Sequence, residues 1–133
     1  MITRPTVFVL GAGASKPFGY PTGLELKQKI IDALANRDSP ASKLLEGPSL
    51  FSYDDISNFQ KALSQSSANS IDEFLENWSS YQDMGKRVIT QILFDCEDEN
   101  SIFATPDWYG HLFGALKSGS SFEGFAENKL SVI

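Results

Sequence analysis

Two glycines one residue apart, Gly11 and Gly13, stand directly behind the apolar run Thr6-Val7-Phe8-Val9-Leu10 and are followed by Ala14 and Ser15. A β-branched and aromatic strand that ends in closely spaced glycines can deliver bare backbone N–H groups to a phosphate. Lacking a Cβ, Gly11 and Gly13 can take positive φ and let a pyrophosphate reach the main chain. Ala12 and Ala14 keep the lining small, and the Ser15 hydroxyl can donate to a phosphate oxygen or cap the next turn. The glycines alone are equally compatible with a strand that merely turns tightly beneath a helix.

Two familiar phosphate loops are excluded. The dinucleotide fingerprint places a third glycine three residues after the second and an acidic residue about 20 positions further on. Lys16 occupies that third place, and the nearest acid at suitable distance, Asp32, lies in a segment with helical spacing. A P-loop ends in Gly-Lys-Ser/Thr, whereas Lys16 here lies between Ser15 and Pro17.

From Val7 to Leu26 the chain resembles the start of the sirtuin superfamily, and more closely its sirtuin-like NAD-cleaving branch of bacterial, defence-type proteins. There a Gly-Ala-Gly-x-Ser loop precedes Gly-x-Pro, as residues 11–15 here precede Gly19-Tyr20-Pro21. Deacetylase sirtuins continue with Asp-Phe-Arg; Thr22-Gly23-Leu24 departs from that pattern and ranks deacetylation lower. The resemblance implies that Gly11, Ala12, Gly13, Ala14 and Ser15 hold the diphosphate of NAD, while Gly19, Tyr20, Pro21 and Thr22 cover the nicotinamide ribose. It also implies an asparagine-bearing motif after the returning strand. The expected catalytic asparagine therefore lies beyond Ile133, and no catalytic residue is assigned within these residues.

With 133 residues, 41% hydrophobic and 12% aromatic, the chain can form a core. A formal charge of −6 argues against a nucleic-acid surface, which needs Lys and Arg to neutralise phosphates. No stretch of about 18 apolar residues or basic leader precedes the first strand, so a soluble, cytoplasmic protein without membrane contact is expected. A single cysteine, Cys96, excludes an internal disulfide; its spacing with Ile92 and Leu93 reads as a small buried apolar side chain. One histidine, His111, has no Cys or His at ligand spacing, so no metal site is expected, and it reads as a boundary hydrogen-bonder on its helix.

The elements that must position the loop follow from pattern. Thr22 and Glu25 have the form of a capping box opening a helix from about Gly23 to Leu34, with Ile30, Ile31 and Leu34 on one face. Residues 36–48 read as a loop with at most one turn near Leu44 and Leu45. Asp54 is placed as the cap of a helix bearing Ile56, Phe59, Ala62 and Leu63. A second box, Ser70 with Glu73, opens a helix carrying Ile71, Phe74, Leu75, Trp78 and Tyr81; its first-turn Asp72 serves the helix dipole. Val88, Ile89, Ile92, Leu93 and Cys96 mark a further helix running into the acidic residues 97–99, and Thr105-Pro106 starts another with Trp108, Tyr109, Leu112, Phe113 and Leu116. Residues 129–133 read as the start of a second strand.

These elements predict an α/β, Rossmann-like, sirtuin-type NAD-binding unit, with residues 1–35 as strand, glycine loop and first helix, 50–118 as a helical insertion and 129–133 as the returning strand. An apolar strand at the end of the sequence reads as the N-terminal part of a longer polypeptide. Three functions follow as expectations: an NAD glycohydrolase inactive as this fragment; a non-catalytic NAD or ADP-ribose sensor acting on a fused or partner domain or in a homo-oligomer; and a helical protein-binding module in which the glycines only turn the chain.

Overall fold

The computed structural model describes residues 6–47, 50–97, 108–117 and 130–132. Within residues 22–94, four helices begin where an oxygen on the residue before them, or on that residue's partner in the first turn, takes up N–H groups that no helical carbonyl can reach. In α1, Gly23–Ala35, the Glu25 carboxylate accepts from the Thr22 N–H at 2.9 Å and from its hydroxyl at 2.8 Å. The predicted capping box is therefore present. In α2, Pro40–Leu45, the Ser39 hydroxyl accepts from the Ser42 N–H at 3.0 Å, and Pro40 sits where a missing N–H costs nothing. That helix occupies the middle of the stretch expected as a loop over residues 36–48 and is longer than the single turn expected near Leu44 and Leu45.

Helix α3, Tyr53–Gln65, starts two residues earlier than its sequence suggests. Its cap is Ser52, not Asp54: the Ser52 hydroxyl accepts from the Asp55 N–H, and the Asp55 carboxylate accepts from Ser52 N–H at 3.1 Å and Oγ at 2.6 Å. The hydroxyl and N–H of Ser52 hold the Asp55 carboxyl below its ordinary value. Helix α4, Ile71–Asn77, is capped by the Ser70 hydroxyl, but Glu73 reaches the Asn69 N–H at 2.7 Å rather than that of Ser70. It also stops before Trp78. Residues Ser79–Tyr81 form a single 3-10 turn, and α5 runs over Gln82–Phe94, so the apolar stripe expected on one helix from Ile71 to Tyr81 is divided between two elements. A sixth helix, α6, spans Trp108–Lys117, and the expected start at Thr105-Pro106 lies outside the described residues.

The expectation of an α/β Rossmann-like unit is overturned. The described residues are predominantly helical, and their strands are β1, Thr6–Phe8, and β2, Leu130–Val132, three residues each. These two pair in parallel with Thr6 opposite Leu130 and Phe8 opposite Val132; an isolated bridge joins Glu46 and Phe51. A doubly wound fold buries helix faces against a broad sheet. Here the apolar faces of α1 to α5 are buried against one another: Ile30 and Leu34 of α1, Leu45 of α2, Ile56, Phe59 and Leu63 of α3, Phe74 of α4, and Val88 and Ile92 of α5 form one cluster. Among the described residues no helix is long and apolar enough to cross a membrane.

The chain divides into two compact units, Met1–Phe18 with Asp98–Ile133, and Gly19–Glu97. The second unit is the helical cluster. At its centre Phe59 meets Phe74 at 6.0 Å between ring centroids and Tyr81 at 5.2 Å, tilted in each case, as aromatic quadrupoles prefer. Lys27 is 8% exposed, and its ammonium donates to the Ser66 carbonyl at 2.9 Å, the Ser66 hydroxyl at 3.2 Å and the Ala68 carbonyl at 2.7 Å. Three protons find three acceptors at the C-terminal end of α3, where a positive charge also opposes the negative end of the helix dipole.

One close approach fixes how α4 lies on α5. A Cβ on buried Gly85 would stand 2.5, 2.6 and 3.1 Å from Cδ1, Cδ2 and Cγ of Leu75, so no rotation of one methyl clears it. Gly85→Ala gains about 1 kcal/mol in helix propensity but forces overpacking that costs about 1–3 kcal/mol. We expect net destabilisation in chemical denaturation, and a clearly smaller penalty for Leu75→Ala in the Gly85→Ala background than in the parent; additive penalties contradict the contact.

Candidate functional site

The glycine segment folds as a 3-10 helix, Ala12–Phe18, rather than as an open loop. Its first turn closes through the Ala14 N–H donating to the Gly11 carbonyl at 2.9 Å. Seven residues are long for this conformation, and Pro17 interrupts it chemically. In a 3-10 ladder the N–H of residue 17 donates to the carbonyl of residue 14, and proline has none to give. Trp108 of α6 supplies the missing donor: its indole Nε1–H donates to the Ala14 carbonyl at 2.8 Å. The glycine turn is thus tied to a residue 94 positions away within the same unit.

The conformational reason expected for the glycines does not hold. Among the described residues Gly19 alone has positive φ, +86°, whereas Gly11 and Gly13 have backbone angles open to any residue. A Cβ on Gly11 or Gly13 meets no atom within 4 Å, so packing does not require glycine there either. Gly11, Ala12, Gly13 and Ser15 are exposed and Ala14 is half-buried. Of the amides expected to face a diphosphate, that of Ala14 is already used inside the turn. The Ala12 and Gly13 N–H groups have no acceptor within the 3-10 ladder, and Ala12, Gly13 and Ser15 are all exposed.

Residues 19–22 belong to the second unit and serve α1. Gly19 takes the left-handed turn that L-residues avoid, with the Cys96 carbonyl 3.9 Å from where a Cβ would be. Tyr20 is half-buried and Pro21 buried, and the hydroxyl proton of Thr22 is donated to Glu25. Cys96 is half-buried rather than buried, with its Sγ–H donating to the Ile92 carbonyl at 3.2 Å, and it follows the end of α5. His111 is exposed on α6. Among the described residues no three of His, Cys, Asp and Glu lie close enough to hold a metal ion.

Sequence reasoning missed Trp108 as the partner of the turn. Pro17 was the available signal, since a proline inside a hydrogen-bonded turn orphans a carbonyl; nothing in the sequence shows which donor answers it. No family model matches the chain, and no curated protein or solved structure matches it.

Trp108→Phe leaves the Ala14 carbonyl without its ladder donor, a loss of about 1 kcal/mol. Amide exchange over Ser15, Lys16 and Phe18 should accelerate roughly fivefold. Pro17→Ala in the same background restores an N–H at position 17 and should recover most of the protection; no change in the single variant, or no recovery in the double, contradicts the assigned role of the indole.

Proposed function

We propose that the turn over residues 11–15 binds the diphosphate of an adenine dinucleotide, NAD or ADP-ribose. The observation that carries this reading is that Gly11 and Gly13 are glycine where neither backbone angle nor packing asks for it. Glycine there gives up about 0.5–1 kcal/mol of backbone entropy relative to alanine. What glycine offers in exchange is close approach from outside: an anion can reach the main chain at Gly11 and Gly13 with no side chain on either in the way, and Ala12 and Ser15 are exposed as well.

The resemblance of residues 7–26 to the sirtuin-like NAD-cleaving group supports the dinucleotide over other phosphates. On this reading the chain contributes diphosphate binding to a cytoplasmic NAD-consuming protein. Such a protein cleaves the nicotinamide–ribose bond with an asparagine supplied outside these residues. In this chain the turn holds and orients the ligand, and charge-assisted hydrogen bonds of this kind contribute about 1.5–3 kcal/mol each.

Gly13→Ala separates folding from binding. Alanine at a compatible φ stabilises by about 0.4–1 kcal/mol through the unfolded chain, so the melting temperature should hold or rise. The added methyl intrudes on the ligand, so titration calorimetry with ADP-ribose should show affinity lowered at least tenfold. Equal affinity in parent and variant, or no heat of binding in the parent, overturns the proposal.

A further inference from the structure

The second unit carries a cleft of about 500 Å³ between the end of α3, the segment 66–68 and α4. That volume falls within the range of small-ligand sites. The aromatic wall is Phe74 and Trp78. Trp78 is 50% exposed, and its indole stacks on Phe74 with ring centroids 6.0 Å apart and planes 14° from parallel. Tyr81 supports it from 6.2 Å.

The polar lining of the cleft is mixed: the exposed Gln65 amide and Ser67 hydroxyl can donate or accept, whereas its one charged group, the Glu73 carboxylate, only accepts. Glu73 receives the Asn69 N–H on Oε2 at 2.7 Å, which leaves its other carboxylate oxygen, and it forms no ion pair among the described residues. Asn77 donates its Nδ2 to the Glu73 carbonyl at 2.9 Å, and this bond fixes the amide with Oδ1 as the remaining acceptor. The ammonium of Lys27, behind the wall at Ser66 and Ala68, spends all three protons on those two residues. Glu73 is thus the one ionisable group among the residues lining the cleft, and the chain as a whole carries a net charge of −6.

We propose that this cleft receives the guanidinium of an arginine side chain from a partner polypeptide. A planar cation can lie on the indole of Trp78, as cation–π attraction favours, while its in-plane N–H groups donate to Glu73 and Asn77. An ammonium offers a compact charge without the flat face. An anionic ligand meets the Glu73 carboxylate with no free cation on the cleft wall to offset it. The negative chain also attracts a basic partner at longer range. The site is independent of the glycine turn.

The test uses the whole chain, with Nα-acetyl-arginine methylamide as probe and its neutral isostere Nα-acetyl-citrulline methylamide as control. The Trp78 indole N–H resonance, distinguished from that of Trp108 with the Trp108→Phe variant, should shift saturably with the arginine probe at millimolar concentration and not with citrulline. Glu73→Gln keeps an acceptor for Asn69 and should weaken the arginine probe at least fivefold. Equal shifts by both probes, undiminished binding by Glu73→Gln, or no shift at all overturns the proposal.

Discussion

The glycine turn depends on one carbonyl that its own sequence leaves without a donor. Pro17 removes the N–H that would close the 3-10 ladder onto Ala14, and the Trp108 indole replaces it at 2.8 Å. An unsatisfied, partly buried carbonyl costs about 1–3 kcal/mol, so the turn and the start of α6 stabilise each other. This explains how a segment with two glycines and no buried residue keeps a defined shape. The order comes from a bond that spans most of the chain rather than from local propensity.

The helical unit rests on different physics. Its core is built by five helix faces, and its polar requirements are met at the helix ends: hydroxyl caps at Ser39, Ser52 and Ser70, the Thr22–Glu25 box, and the Lys27 ammonium on the carbonyls after α3. Lys27 links α1 to the end of α3 across 39 residues of sequence. A buried charge is tolerated there because every proton has an acceptor, and losing one of the three would leave a buried N–H of the ammonium unpaired.

The amphipathic helices were legible because burial imposes a period that residues such as Ile30, Leu34, Ile56, Phe59 and Val88 display directly. Caps were legible to within a residue or two. Ser52 and Asp54 both satisfy the composition rule, and only the geometry of Asp55 decides between them. The break at Trp78 was hidden because the apolar stripe continues through it: the stacking of Trp78 and Tyr81 on Phe74 serves the same core whether the backbone is one helix or two elements. The Rossmann-like expectation failed for a related reason. A strand followed by glycines is a local signal, whereas a sheet is a long-range one, and here the helices find enough apolar surface on each other. At the turn itself the sequence offered two reasons for glycine, positive φ and close approach of a ligand, and positive φ occurs at Gly19 and not at Gly11 or Gly13.

What remains distinctive about residues 11–15 is that Gly11 and Gly13 are exposed glycines that neither backbone angle nor packing requires. The most direct measurement is an amide-resolved titration of the chain with ADP-ribose, followed by nitrogen–proton correlation spectra. The account predicts saturable shifts concentrated at Ala12, Gly13 and Ser15, with helices α3 to α5 silent. Saturable shifts that leave residues 11–15 unmoved would contradict it.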